Sequence, residues 1–254
     1  MNQAEKAKAF GALHVPGRPV ILFNAWDAGS AKAVADAGAK AIATGSWSVA
    51  AAHGFFDAEG LPLDLALANA ARIARAVDLP VTLDFEGGYA VETAQVAANF
   101  RAVLATGVIG CNFEDQIVGG EGLHPIKVQA GRIEALRREA ERADVPAFIN
   151  ARTDIFLKAK PEAHDRAAVD AAIERARAYA DAGASGFFVP GLMNESLIAR
   201  VCEASPLPVN AMMFAGMPSI KRLAELGIGR ISYGPGPYRQ AMAAVTEAAR
   251  AAFS

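Results

Sequence analysis

Eight short apolar runs rich in β-forming residues recur along the chain, each followed by a segment of helical periodicity. The runs are PVILFN (19–24), KAIATG (40–45), PVTLDF (80–85), GVIGCNFE (107–114), PAFINAR (146–152), GFFVP (186–190), LPVNAM (207–212) and RISYG (230–234). The segments between them, from AGSAKAVADAGA to YRQAMAAVTEAARAAF, carry apolar residues three and four apart. Near-continuous apolar strands alternating with amphipathic helices imply a parallel sheet covered by helices, because each parallel connection must cross back over the sheet. Eight units of roughly thirty residues each match an α/β fold of the (β/α)8 TIM type; a doubly wound open sheet is the rival. Pro80, Pro146 and Pro208 begin strands, where a missing N–H does little harm. Gly38, Gly107, Gly183 and Gly227 stand where helices end. No Pro/Gly/Ser-rich linker interrupts the pattern, so residues 1–254 read as one barrel domain with a lead-in helix over 3–12.

With 53% hydrophobic and 20% charged residues, the chain has material for a large core. A net charge of −2 offers no basic field for nucleic acid and no polybasic membrane patch. No run approaches the length of a membrane span, and MNQAEKAKAF lacks an apolar signal core. Cys111 and Cys202 have no CxxC spacing and read as reduced thiols of a cytoplasmic protein.

In barrels of this type chemistry sits where strands end. Here those ends carry Asn24, Gly45-Ser46-Trp47, Asp84 and Glu86, Asn112 and Glu114, Arg152 and Asn210, with Asp57 in the long loop after the second strand. Asp84 and Glu86, two apart on an apolar strand, are expected on one face, where like charges need a cation, a shared proton or a basic partner. Four acids (Asp57, Asp84, Glu86, Glu114) are expected to converge with one arginine. An all-oxygen donor set without His/Cys zinc spacing suits Mg²⁺, with Mn²⁺ as substitute. Asp27, Asp115 and Asp154 read as helix caps or solvated side chains, and the four histidines as surface residues. GPGPY (234–238) offers a weaker alternative, a phosphate cradle in a phosphosugar isomerase.

The stretches NAWDAGSAKAVADAGAKAIATGSWS, GFFDAEGLPLD, PVTLDFEGGYA, GVIGCNFEDQ and INARTDIFL together resemble the isocitrate lyase/phosphoenolpyruvate mutase superfamily, over about residues 10–250. The sequence is most similar to its short phosphonomutase-like, carboxyvinyl-carboxyphosphonate phosphorylmutase-like branch. The resemblance implies a barrel whose last helix is swapped between subunits, giving a homodimer or homotetramer. It implies Mg²⁺ held nearest Asp84, with Asp57, Glu86 and Glu114 holding its waters, and a small 2-oxo carboxylate as substrate. It further implies that Arg152 meets the substrate carboxylate, that Gly45, Ser46 and Trp47 supply backbone donors, and that Asn210 lies near a second carboxylate.

Two departures constrain the activity. The lyases carry a Lys-Lys-Cys-Gly-His loop after strand four and the phosphonate mutases a Lys-Thr-Asn stretch; this chain reads EDQIVGGEGLHPI. What the resemblance leaves is Mg²⁺-dependent lyase or decarboxylase chemistry on a C–C bond beside a 2-oxo acid, through an enolate, with water, Glu121 or His124 supplying the proton. C–P chemistry on phosphonopyruvate or phosphoenolpyruvate is the close alternative, and a non-catalytic dicarboxylate-binding barrel the alternative of another class.

Overall fold

Strands this apolar pair on both edges. The computed structural model, which describes residues 1–254, shows eight parallel strands in the order β1-β8-β7-β6-β5-β4-β3-β2. In chain order the elements are α1 (Gln3–Ala12), β1 (Val20–Leu22), α2 (Ala28–Asp36), β2 (Ile42–Ala43), α3 (Ser46–Ala52), α4 (Leu63–Ala76) and β3 (Val81–Asp84). There follow α5 (Thr93–Ala105), β4 (Gly110–Glu114), α6 (Ile126–Arg142), β5 (Phe148–Arg152), α7 (Ile155–Lys158), α8 (Arg166–Asp181) and β6 (Gly186–Phe188). The chain ends with α9 (Glu195–Ala204), β7 (Val209–Met212), α10 (Ile220–Glu225), β8 (Arg230–Ser232) and α11 (Gly236–Phe253). The gap between β1 and β2 is closed by one parallel bridge, Ala25 to Thr44, with Ala25 N–H donating to Ala43 C=O at 2.8 Å. The sheet is therefore a barrel and not the open alternative.

Gly38 and Gly183, with φ of +95° and +91°, end helices in the left-handed region that a Cβ disfavours. The lead-in helix α1 seals the end where the strands begin. Its Phe10 is buried and packs edge-on against Phe148, the first residue of β5, with ring centroids 5.3 Å apart. His14 stacks on the same ring at 3.9 Å. His14 and His124 are buried, which corrects the surface positions expected for them. With one end plugged, only the ends of the strands remain as a mouth. No helix is long and apolar enough to cross a membrane.

The last helix departs from the barrel. Along α11 only Pro237 is buried. Met242, Val245 and Phe253, spaced at helical period, are 38%, 60% and 89% exposed.

Candidate active site

The C-terminal ends of the strands enclose a cavity of about 160 Å³. Asn24, Gly45, Ser46, Trp47, Asp57, Asp84, Asn112 and Arg152 line one side; Leu157, Phe188, Pro190 and Met212 line another. Gly45 is the N-terminal cap of α3, so the first amides of that helix lack intrahelical acceptors. Ser46 N–H donates to Asp84 Oδ2 at 3.0 Å, and Asp84 N–H donates to Thr44 Oγ1 at 2.9 Å, which fixes the carboxylate against the turn. Asn112 is oriented from below: its Oδ1 accepts from Asn150 and from the fully buried Arg230, both at 2.9 Å. Its amide nitrogen therefore faces Asp84 Oδ1, 3.5 Å away.

The expected side-by-side pair of Asp84 and Glu86 does not form on a strand. β3 stops at Asp84, and the backbone turns at Glu86 with φ +51°. The Glu86 carboxylate is turned inward, accepting Glu59 N–H at 2.7 Å and the Tyr89 hydroxyl at 3.1 Å. Ala58, Glu59 and Tyr89 also have left-handed φ, at 61°, 59° and 57°, so unfavourable backbone geometry is concentrated around these acids. Burial pushes the Glu86 carboxyl up to about 8, against the Glu59 N–H and with Asp84 and Asp57 adding to the rise. Burial, then the nearby Asp84, also raises Asp57.

Glu114 is paired with Arg152, whose Nη1 lies 2.8 Å from its Oε2. Burial raises Glu114 while Arg152 opposes the rise. Arg152 is held in its charged form by Glu114, Asp154 and Asp84 although burial alone would weaken it. Asp154 pairs with Arg152 Nε at 2.6 Å, and its own N–H donates to Asp115 Oδ1 at 3.0 Å. Asp115 in turn accepts from Tyr179 and Arg175. Asp115 and Asp154 are therefore buried parts of the arginine's support, not solvated acids or hydrogen-bonded caps; of the three, Asp27 alone caps a helix through its side chain, accepting Ser30 N–H at 2.7 Å.

Several expectations are corrected. The four acids do not meet at one point: Asp57 and Asp84 share the cavity, Glu86 lies behind Asp84, and Glu114 is paired with Arg152. Asn210 is fully buried, its side-chain amide has no partner, and it does not line the cavity, because its strand position points into the packed interior. Glu121 is exposed, His124 is buried, and neither lines the cavity. The first amide of GPGPY is occupied: Gly234 N–H, like that of Tyr233 just before the motif, donates to Asn24 Oδ1 at 2.9 Å.

No three acid, histidine or cysteine side chains stand close enough to hold a metal ion by themselves. The donor set still fits Mg²⁺, which takes one or two carboxylates and keeps several waters. A second small chamber of about 10 Å³, near the size one water requires, is bordered by Thr44, Ser46, Asp84, Glu86 and Tyr89.

A parallel barrel with carboxylates, one supported arginine and helix-start amides at its mouth defines an enzyme of the isocitrate lyase/phosphoenolpyruvate mutase superfamily. The chain belongs to the phosphoenolpyruvate phosphomutase family, whose profile matches residues 10–253. A crystal structure of a protein from Burkholderia cenocepacia J2315, provisionally named a phosphonomutase, superposes with a TM-score of 0.96 at 50% identity, covering 99% of this chain and 100% of the other. An uncharacterised protein of Mycobacterium tuberculosis H37Rv is 34% identical over 243 residues, 96% of this chain and 88% of that protein. The 2-methylisocitrate lyase of Escherichia coli K12 is 28% identical over 215 residues, 83% of this chain and 71% of the enzyme. Family members are lyases and mutases of small carboxylates.

Proposed function

We propose that the protein is a Mg²⁺-dependent lyase that cleaves a C–C bond beside a 2-oxo acid. The observation that carries this reading is the meeting of Asp57, Asp84, Arg152 and the Ser46–Trp47 turn around one cavity. When bound, Mg²⁺ supplies Lewis-acid charge opposite a developing enolate. Asp84 would hold it, with Asp57, which shares the cavity, receiving one of its waters. Arg152 receives the substrate carboxylate with the N–H groups that Glu114 and Asp154 leave free, a charge-assisted contact. The Trp47 amide, at the first turn of α3, is an oxyanion donor of the kind worth about 3–4 kcal/mol. In the step, the bond from C3 to the leaving carbon breaks and its electron pair moves to the C2 oxygen; the leaving carbon departs as a carbonyl as its hydroxyl gives up a proton, or as CO2 where it is a carboxylate, and water returns a proton to C3. Asp57, whose carboxyl burial and the neighbouring Asp84 raise, stands at the cavity wall.

The closest test is isothermal calorimetry with oxalate, an enolate mimic. Binding is expected with Mg²⁺ and not without it; metal-independent binding overturns the reading. A second reading, C–P bond chemistry on phosphonopyruvate, is favoured by the provisional name of the 50% identical Burkholderia protein. Loss of the phosphonate signal in phosphorus NMR would establish it. Mg²⁺ and oxalate binding with no turnover across 2-oxo acids and phosphonopyruvate would favour the non-catalytic barrel.

We also propose that α11 packs on a second copy of the chain. Its apolar stripe is exposed, and an apolar groove of about 650 Å³ lies open beside α2 and β1, lined by Leu13, Pro19, Ile21, Phe23 and Val34. A homodimer or homotetramer would cover both surfaces.

A further inference from the structure

Each carboxylate that grips Arg152 is itself held by a group one step farther from the cavity. Glu114 takes Arg152 Nη1 on its Oε2 and accepts the Gln116 side-chain amide on its Oε1. Asp154 takes Nε on Oδ1 at 2.6 Å and Nη2 on Oδ2 at 3.0 Å. Asp154 stands at the start of α7, yet its side chain caps no amide of that helix. Its backbone N–H donates to Asp115 Oδ1, and Asp115 N–H donates to Arg152 C=O, both at 3.0 Å. Asp115 thus clasps the backbone from Arg152 to Asp154.

The clasp is anchored on α8. Asp115 is fully buried, and its Oδ2 accepts the Tyr179 hydroxyl at 2.8 Å and Arg175 Nη1 at 3.1 Å. The same Nη1 reaches His124 C=O at 3.0 Å, and His124 N–H donates to Asp115 C=O at 2.8 Å. Asp115 and His124 are the two ends of a hairpin between β4 and α6, closed by an antiparallel bridge from Gln116 to Leu123. One nitrogen from α8 therefore ties both ends of the hairpin together. The hairpin's first two residues, Asp115 and Gln116, are the ones that reach Asp154 and Glu114.

A guanidinium has five N–H donors, and the two acids occupy three of them. The direction of the remaining N–H groups follows from where Glu114 and Asp154 stand. Hydrogen bonds weaken steeply with misalignment, and donors fixed in advance bind more tightly because no ordering is left for the ligand to impose. Gln116 and Tyr179 do not line the cavity, so their route to a ligand there runs through Arg152.

Resting on the reading of Arg152 as the holder of the substrate carboxylate, we infer that Gln116 and Tyr179 are positioning residues: through Glu114 and through Asp115 and Asp154, they aim the Arg152 guanidinium at a substrate they do not touch.

The test is calorimetry of oxalate on the Mg²⁺-loaded protein, run beside urea unfolding. Arg175 is the charge partner of the buried Asp115, so its removal would probe folding rather than aim. Tyr179→Phe keeps the buried ring and removes only the hydroxyl. Gln116→Met, on the half-buried hairpin, removes the amide at similar length. Each is expected to weaken oxalate binding about fivefold, the worth of one hydrogen bond. In an Arg152→Lys background, where the fork onto Glu114 and Asp154 is gone, neither should weaken it further. A variant that loses folding stability but keeps parental oxalate affinity has a structural role only, and that result for both overturns the inference. The same fivefold loss in the Arg152→Lys background overturns it too, because the route would not run through the guanidinium. Should Tyr179→Phe fail to fold, Gln116→Met decides. If the parent chain does not bind oxalate with Mg²⁺, the 2-oxo acid reading falls and takes this inference with it.

Discussion

Arg152 is gripped from two sides, by Glu114 at 2.8 Å through Nη1 and by Asp154 at 2.6 Å through Nε. This double pairing fixes the plane of the guanidinium before any ligand arrives. Arg152→Lys keeps the charge but loses the fork that serves both acids and a carboxylate. Oxalate affinity measured with Mg²⁺ by calorimetry is expected to fall by about 2 kcal/mol, roughly thirtyfold. Arg152→Met should instead cost about 3–5 kcal/mol of folding stability in urea titrations, because two buried carboxylates lose their partner.

Asp84 is the carboxylate that both the α3 amide and the Asn112 side chain address. Asp84→Ala should abolish Mg²⁺-dependent oxalate binding while far-UV circular dichroism stays unchanged. Asp27→Ala, a cap at α2, should leave oxalate binding intact and cost about 1 kcal/mol of stability. Retained Mg²⁺-dependent binding in the Asp84 variant would remove Asp84 from the metal-holding role.

The barrel was legible because each strand is apolar on both faces and every helix between successive strands and after the last, except the six-residue α10 and the short α3 and α7, shows its stripe over nine or more residues. The lead-in helix over 3–12 and the eight helices α2, α4, α5, α6, α8, α9, α10 and α11 fall in the segments read as helical. The two helices the sequence hides, α3 and α7, have seven and four residues and start within three residues of a strand end, inside stretches read as strand end and loop. They are also the elements that deliver Ser46, Trp47 and Leu157 to the cavity. Candidate residues at strand ends were readable from strand order alone, as with Asp84 and Arg152. Glu59 and the true orientation of Glu86 were not, since both depend on left-handed turns formed without glycine. Asn112 carries a partial signal: it stands two residues before Glu114 on the same strand face. Asn210 shows the limit of reading strand ends, because β7 runs two residues beyond it before the mouth begins.

His14 gives the chain a built-in pH dependence. Burial, with Arg230 adding, lowers its pKa from 6.5 to about 3, although its Nδ1 contact with Phe10 C=O works the other way. The unfolded chain binds this proton below pH 6.5 and the folded chain does not until about pH 3. Stability is therefore full above 6.5 and falls as pH drops toward 3. At pH 5 the loss from this group is about 2 kcal/mol. His14→Phe keeps a ring on Phe148 and cannot titrate. Urea unfolding at pH 7.5 and pH 5 should show a smaller difference for the variant than for the parent chain by about that amount; equal differences would place the acid sensitivity elsewhere.

The exposed stripe of α11 ties assembly to the site. Tyr238, in the helix's first turn, packs edge-on against Trp26 and Trp47, with ring centroids 5.2 and 6.0 Å away, and Trp47 lines the cavity. A helix anchored there at one end and bare along the rest presents Met242 and Val245 to water, an arrangement that burial against a second copy relieves. Val245→Asp places a charge in the middle of that stripe while touching nothing in the barrel. Sedimentation velocity is expected to show the parent chain as a dimer or tetramer and the variant as a monomer at micromolar concentration. Because the anchor holds Trp47, the monomeric variant should also bind oxalate more weakly, by a fewfold, with its melting of the barrel core unchanged. A parent chain that sediments as a monomer would show that the stripe and the groove beside α2 are not joined in solution. A monomeric variant with parental oxalate affinity would separate assembly from the site.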